Sequence, residues 1–145
     1  MQTFVPFPDL CKIARCLDDK RLGAMRRESR QVWDTILMNP TKRGTLRVGY
    51  MNHPIVEMWR GAENALLAYS NAMICEWIRR GKQNTMEIME TGTIIYPCWW
   101  GNDSVHASHR SQLFYKFPEH YKQFNWKEAS LPLLDYVWIS NSNIS

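Results

Sequence analysis

Apolar residues recur at helical spacing in two long stretches of the chain. In residues 18–38 they return every three or four positions until Pro40 ends the pattern. The second stretch, residues 53–80, has Pro54 in its first turn, two arginines in its last turn and Gly81 just beyond. The pattern predicts two long helices, and the broader apolar face of the second indicates that it is the more buried.

Shorter elements are predicted around these two helices. Asp9 is a plausible cap for a helical turn that ends at Arg15, and Asp103 or Ser104 can cap a third helix running to Phe117. The stretch 86–96 is ambiguous, and we expect a helical turn followed by an extended segment over residues 93–96. With at most a token strand, the fold class is all-α: three main helices with long irregular connections.

The remaining segments are predicted to be irregular. Pro6 and Pro8 make the first nine residues extended, and residues 41–52 form a basic, glycine-containing loop. The tail 131–139 is apolar and aromatic and should pack back on the body, whereas residues 140–145 should fray. A chain of 145 residues fits a single domain, here 1–145.

Composition narrows the class of protein. The formal charge is +4, and much of the positive charge falls within residues 20–30, which fits either a polyanionic partner or a solvated basic face. The four cysteines form no C-x-x-C pair, so we expect no zinc site and read them as reduced, mostly buried thiols. No signal peptide opens the chain and no apolar run is long enough to span a bilayer, so we expect a cytoplasmic protein.

The first long helix carries a candidate catalytic carboxylate. On a wheel of about 100° per residue, Glu28 falls about 60° from Met25, on the inward half, with Arg21 between them. Partial burial raises the pKa of a carboxyl group and a nearby arginine lowers it, a competition that poises such groups for acid–base chemistry. An ordinary salt bridge at the edge of a helix has the same pattern. Three other arginines are expected to fan outward: Arg26, Arg27 and Arg30.

For other polar and aromatic residues the sequence allows two interpretations each, one structural and one functional. The third helix carries a cluster that is either a phosphate-gripping face or a capped, solvated helix start with one buried histidine: His106, Ser108, His109, Arg110 and Ser111. His53 is either a polar residue at a helix start or an active-site residue. Trp100, in a loop flanked by proline and glycine, is either a core anchor or a wedge that stacks on bases.

Several motifs taken together resemble one enzyme family. They are Met1-Gln2-Thr3-Phe4 with Pro6 and Pro8, Leu17-Asp18-Asp19-Lys20-Arg21-Leu22-Gly23, Arg27-Glu28, Asn52-His53-Pro54, Met58-Trp59-Arg60-Gly61, Glu76-Trp77, Arg79-Arg80-Gly81, Trp100-Gly101, Ser108-His109-Arg110-Ser111 and Pro118-Glu119-His120-Tyr121. Over roughly residues 1–126 the chain resembles the pyrimidine-dimer DNA glycosylases, the endonuclease V-like family, and especially a bacterial and phage branch of it.

The resemblance implies a fold and a chemistry. The fold is a compact bundle of three helices with the N-terminal segment threaded between two of them. The α-amino group attacks C1′ of the damaged nucleotide, a Schiff base forms, and β-elimination nicks the strand without a metal or other cofactor. An Arg–Glu pair on the first long helix is matched by Arg27 and Glu28, which makes Glu28 the expected catalytic carboxylate.

One position departs from the family's pattern. The family's best-known member has a small second residue that becomes the nucleophile, whereas Gln2 here predicts that the initiator is retained. Three alternatives follow: the Met1 amine is the nucleophile, water attacks with help from Glu28, or the enzyme acts on a hypermodified base or a free nucleotide. A non-catalytic nucleic-acid-binding protein of the same fold is a further alternative.

These considerations define the expected site. We expect a monomer that acts on double-stranded DNA or a nucleotide. The expected catalytic residues are Glu28, Met1, Gln2 and His53. The expected substrate contacts are Lys20, Arg21, Arg26, Arg27, Arg30, Asn52, Arg60, Trp100, His106, His109, Arg110 and Ser111.

Overall fold

The computed structural model describes residues 1–39 and 52–141. Its helices are α1 (Leu10–Cys16), α2 (Asp19–Ile36), α3 (Pro54–Trp59), α4 (Glu63–Arg79), α5 (Asp103–Lys116) and α6 (Pro118–Tyr121), followed by two 3-10 turns, Lys122–Phe124 and Lys127–Ser130. Within these two described ranges there is no strand. The expected all-α class is therefore confirmed, and α2, α4 and α5 are the three main helices.

The first two helices each begin directly after an aspartate that caps them. The Asp9 carboxylate accepts a hydrogen bond from the Lys12 amide at 3.0 Å, and Asp18 accepts one from Arg21 at 3.4 Å. Helix α2 then packs along α4. A Cβ on Gly23 would lie 2.9 Å from the Trp77 ring, so the glycine allows this ring on α4 to approach the α2 backbone.

The second long helix is interrupted, which corrects the prediction of one continuous helix over residues 53–80. Gly61 has a φ of +86°, and the chain between α3 and α4 turns there. The Asn141 side chain donates to the Arg60 carbonyl at 2.9 Å, and the Gly61 amide donates to Glu63 at 3.1 Å. These contacts satisfy backbone groups that a continuous helix would have paired internally.

Two further sequence predictions need correction. The helical turn expected in the stretch 86–96 does not form, and side chains of α4 bind the backbone of this stretch instead. The Asn71 amide donates to the Met89 carbonyl at 2.7 Å, and Asn64 donates to Thr93 at 2.8 Å. Helix α5 is capped by Asn102, one residue before the expected cap, through bonds from the amides of Ser104 and Val105.

The N-terminal segment, residues 2–6, lies buried among the helices. Trp59 of α3 donates to the Thr3 hydroxyl at 2.8 Å, and Tyr69 of α4 donates to the Phe4 carbonyl at 2.7 Å. Helix α5 holds the next residue, Val5, through two histidines. The threaded arrangement implied by the resemblance is therefore confirmed.

The tail returns along α5, as predicted. The amides of Leu134 and Val137 donate to Ser111 and Ser108 at 2.9 and 3.1 Å. Asn141, expected to fray, is buried, and its amide donates to the Glu57 carbonyl at 2.9 Å. Ser140, also expected to fray, is half-buried, and its carbonyl accepts from the Cys98 thiol at 3.5 Å. Residues 142–145 and all but Asn52 of the expected basic loop lie outside the described residues.

The structure also bears on the expected burial of the cysteines and on the expected absence of a membrane-spanning segment. All four cysteines are unpaired, but only Cys16 is buried. The prediction of mostly buried thiols was wrong, because Cys11, Cys75 and Cys98 lie on outward faces of the fold. None of the helices in the described ranges combines the length and the apolar character needed to cross a bilayer.

Candidate active site

Glu28 lies half-buried on α2, close to where the N-terminal segment crosses this helix. One turn earlier, the Met25 sulfur accepts the Phe4 amide at 3.3 Å. No described residue donates a hydrogen bond to the Glu28 carboxylate or forms an ion pair with it. Arg21, the expected neighbour, instead forms an ion pair with Asp18 at 3.2 Å. The carboxylate is therefore free to interact with a substrate or with the chain terminus.

Two tyrosines lie within electrostatic reach of Glu28. Burial raises the pKa of Tyr69 well above its ordinary value, and the charge of Glu28 contributes to this rise. Burial likewise raises the pKa of Tyr136; Gln2 and Arg21 oppose this rise, and the charge of Glu28 adds a smaller contribution to it. Both phenols therefore remain protonated at neutral pH and can act as hydrogen-bond donors.

The chain terminus lies within electrostatic reach of His53. Burial lowers the pKa of His53, and the positive charge of the Met1 ammonium lowers it further. The His53 Nδ1 accepts the Ile55 amide at 3.1 Å, so the neutral ring carries its proton on Nε2. His53 thus both caps α3 and offers an N–H donor near the terminal amine, so its two readings are compatible.

Aromatic residues of the tail line the space around the terminus. The Trp138 ring meets His53 edge-on with 6.1 Å between centroids, and it lies 5.6 Å from the Tyr136 ring. Trp138 remains 38% exposed, so one part of its ring is available to a ligand. The Gln2 side chain lies near the Tyr136 hydroxyl, but its buried Nε2 has no hydrogen-bond partner among the described residues.

Tyr136 and Trp138 were not predicted as site residues. Their signal in the sequence was weak: an aromatic pair at alternate positions of an extended tail, each member with a polar group that needs a partner.

The basic residues of α2 divide into two groups. Lys20 and Arg27 are exposed, and no described acidic side chain forms an ion pair with either. They are seven positions apart, which places them on one face of the helix. This face offers two positive charges to a polyanion, next to Glu28.

Arg26 and Arg30 do not belong to this exposed face. The Arg26 guanidinium lies 4.8 Å from the centre of the Trp77 ring and donates to Asn84 at 2.7 Å. Arg30 donates to the Glu87 carbonyl at 3.0 Å. The expectation that Arg26 points outward was wrong, since only 7% of the residue is exposed. Both arginines fasten residues 84–89 to α2.

The polar cluster of α5 faces inward. His106, His109 and Ser111 are buried, and they bind backbone groups of the N-terminal segment, of the tail and, for His106, of Gly101. Arg110 forms an ion pair with Glu128 at 2.8 Å and donates to the Pro6 carbonyl at 2.8 Å. These contacts do not correspond to an exposed phosphate-gripping face, and they hold residues 5 and 6 in place.

The other expected contact residues lie apart from this cluster. Trp100 is half-buried, stacked 4.5 Å from Tyr96 and tilted against Trp59, an arrangement typical of a core anchor. Asn52 is exposed, and Arg60 pairs with Glu57 at 3.1 Å on the surface. Across the described ranges, no group of three or more histidine, cysteine or acidic side chains is arranged to hold a metal ion.

Comparison with known proteins agrees with the resemblance seen in the sequence. No curated protein and no solved structure matches the chain. A family model described as pyrimidine dimer DNA glycosylase matches residues 1–90, which include the terminus and Glu28 but neither α5 nor the tail. Because this match covers more than half of the 145 residues, the chain belongs to the pyrimidine dimer DNA glycosylase family.

Proposed function

We propose that the protein excises damaged pyrimidines from double-stranded DNA and nicks the resulting abasic strand, with the Met1 amine as nucleophile and Glu28 as catalytic carboxylate. One observation carries the proposal: the same aromatic tail adjoins an unpaired, half-buried carboxylate, Glu28, through Tyr136, and the chain terminus through Trp138 and His53. Buried carboxylates are normally paired, so an unpaired one beside a possible nucleophile is typical of an active site.

The chemistry needs a neutral amine and a group that moves protons. α-Amino groups are the most readily deprotonated amines of a protein, so a useful fraction is neutral near pH 7. The Met1 nitrogen forms a bond to C1′ while the bond from C1′ to the base breaks, and the base leaves with the proton given up by the amine. The bond between C1′ and O4′ then breaks and O4′ takes up a proton from solvent, which leaves an iminium ion whose positive charge the Glu28 carboxylate stabilises.

Strand cleavage follows from the same intermediate. A base removes a proton from C2′, the bond between C3′ and its phosphate oxygen breaks, and the phosphate leaves as the product 5′ end. Water then hydrolyses the imine and regenerates the amine. Glu28 is the group we assign to proton transfer at C1′ and C2′.

Other residues bind the DNA around this centre. Lys20 and Arg27 are assigned to phosphates flanking the lesion, where each contact would release counterions and make binding depend on salt. Trp138 is assigned to stacking against an unpaired base, for which a partly exposed indole ring is suited. The His53 Nε2–H is a donor available to a sugar or base oxygen.

Borohydride trapping on ultraviolet-irradiated and abasic duplexes tests the proposal. Wild-type protein should form a covalent adduct, and Glu28→Gln should lower the rate of trapping by about 100-fold or more. Glu119→Gln, which removes the same charge from an exposed site on α6, is the matched control and should react normally.

Three results would decide against parts of the proposal. Normal turnover by Glu28→Gln would remove the carboxylate from the mechanism. Release of free base without any adduct would show that water, and not the amine, is the nucleophile. Salt-sensitive binding without base release would identify a non-catalytic DNA-binding protein.

A further inference from the structure

Two histidines of α5, in opposite tautomers, bind the backbone amide and the backbone carbonyl of Val5. His109 Nδ1 accepts the Val5 amide at 2.7 Å, and His106 Nδ1 lies 2.7 Å from the Val5 carbonyl. The Gly101 amide donates to His106 Nε2 at 3.0 Å, so His106 carries its proton on Nδ1 and donates it to Val5. His109 must carry its proton on Nε2. We call this pair of contacts the histidine clamp.

The clamp requires both rings to be neutral. A protonated His109 would direct an N–H group at the Val5 N–H, which cannot form a hydrogen bond. Burial, with a smaller effect of the neighbouring His106, lowers the pKa of His109 to about 3. Burial also lowers the pKa of His106. Both rings are buried, so water cannot replace the bonds that they make.

The position of the clamp along the chain points to a role beyond stability. Residues 2–6 are buried without forming a strand, so their backbone groups depend on side chains for partners. Neither the Val5 amide nor its carbonyl has a helix or sheet partner. Only four residues separate this fixed peptide from the Met1 amine, and the Phe4 carbonyl is also held, by Tyr69.

We propose that His106 and His109 are positioning residues, which fix the Val5 peptide and thereby hold the terminal amine at the distance from Glu28 that attack on C1′ requires. This inference rests on the proposed function for its link to catalysis. It concerns α5, which lies beyond the residues that the family model matches. Neither histidine contacts the substrate.

A set of His109 variants separates positioning from stability. His109→Leu keeps much of the side-chain volume but lacks the acceptor, whereas the Oδ1 of His109→Asn can replace Nδ1. His109→Leu should lower kcat for trapping by about 10- to 100-fold, because small displacements of reacting groups cost rates of this size. Its Kd for DNA should remain within about threefold, since Lys20 and Arg27 are unaffected. His109→Asn should recover most of kcat.

A second measurement does not depend on activity. An aminopeptidase should remove residues 1–4 from His109→Leu at least about tenfold faster than from wild type, and His109→Asn should resist it as wild type does. The control is His120→Leu, which loses a comparable bond to the Cys16 carbonyl, away from the N-terminal segment. This control should keep both its resistance and its kcat, under conditions where every variant is folded by circular dichroism.

The outcomes distinguish failure of the clamp from failure of the proposed function. If wild type forms no adduct but His109→Leu is trimmed faster, the clamp stands and the catalytic link falls. If His109→Leu keeps wild-type kcat and protease resistance, the positioning role is overturned, whatever Glu28→Gln does. If His109→Leu lowers kcat and raises Kd together, and His109→Asn restores neither, the histidines serve only to stabilise the fold.

Discussion

Lowering the pH should weaken the folded protein through His109. The folded pKa of this histidine is about 3, below the ordinary 6.5, because the ring is buried and lies near His106. Between these two pKa values, the unfolded chain therefore binds a proton at His109 and the folded protein does not. The stabilisation is complete above pH 6.5 and is lost progressively as the pH falls from 6.5 towards 3.

The size of the loss follows from the shift. Over this range the unfolded state binds about one more proton at this site, which corresponds to about 1.4 kcal/mol for each pH unit. The unfolded histidine is already half protonated at pH 6.5, so between pH 6.5 and about pH 4.5 His109 should account for about 2 kcal/mol of the free energy of unfolding. A loss of this size is a large part of the stability of a small domain.

Urea unfolding of wild type and His109→Asn at several pH values provides the assay. Asparagine does not titrate and retains an acceptor for the Val5 amide, so the difference between the two proteins isolates His109. His53 and His106 are present in both proteins, and their contributions cancel. Wild type should lose about 2 kcal/mol more than the variant between pH 6.5 and about pH 4.5. If both proteins lost the same free energy of unfolding over this pH range, the inference that folded His109 is buried and neutral would be refuted.

Three further predictions concern other parts of the molecule. Arg27→Ala should reduce the salt dependence of DNA binding by about one counterion, measured by titrations at several salt concentrations, whereas Lys122→Ala on the 3-10 turn should leave it unchanged. Trp138→Ala should weaken binding to lesion-containing duplex by about 1–3 kcal/mol more than to intact duplex, and equal losses on both would argue against stacking. Gly61→Ala should lower the free energy of unfolding by about 1 kcal/mol, because φ is +86° while the added Cβ meets nothing closer than 3.6 Å; an unchanged urea midpoint would contradict this.

Local signals in the sequence were sufficient for the helices that local contacts define. Asp9 and Asp18 cap their helices through bonds within three residues, so their positions could be read from the sequence. The break at Gly61 could not, because the apolar periodicity continues through it. The break is stabilised by Asn141, a residue 81 positions from the carbonyl that it binds.

The same distinction applies to the site. The helical wheel correctly located Glu28 at the edge of the buried face of α2. It also put His106 and His109 on one face of α5, but periodicity does not reveal what such a face contacts. Their partner is the Val5 backbone, more than 100 positions away along the chain. Tyr136 and Trp138 were missed for a related reason, since only the path of the tail brings them to the terminus.

Locating the covalent bond in the trapped complex tests the central claim most directly. The protein is incubated with abasic duplex and borohydride, digested, and analysed by mass spectrometry, with intact mass first establishing that Met1 carries the terminus. The account predicts a reduced sugar adduct on the Met1 α-nitrogen, formed by wild type and strongly diminished in Glu28→Gln. An adduct on a lysine side chain such as Lys20, or equal trapping by Glu28→Gln, would contradict it.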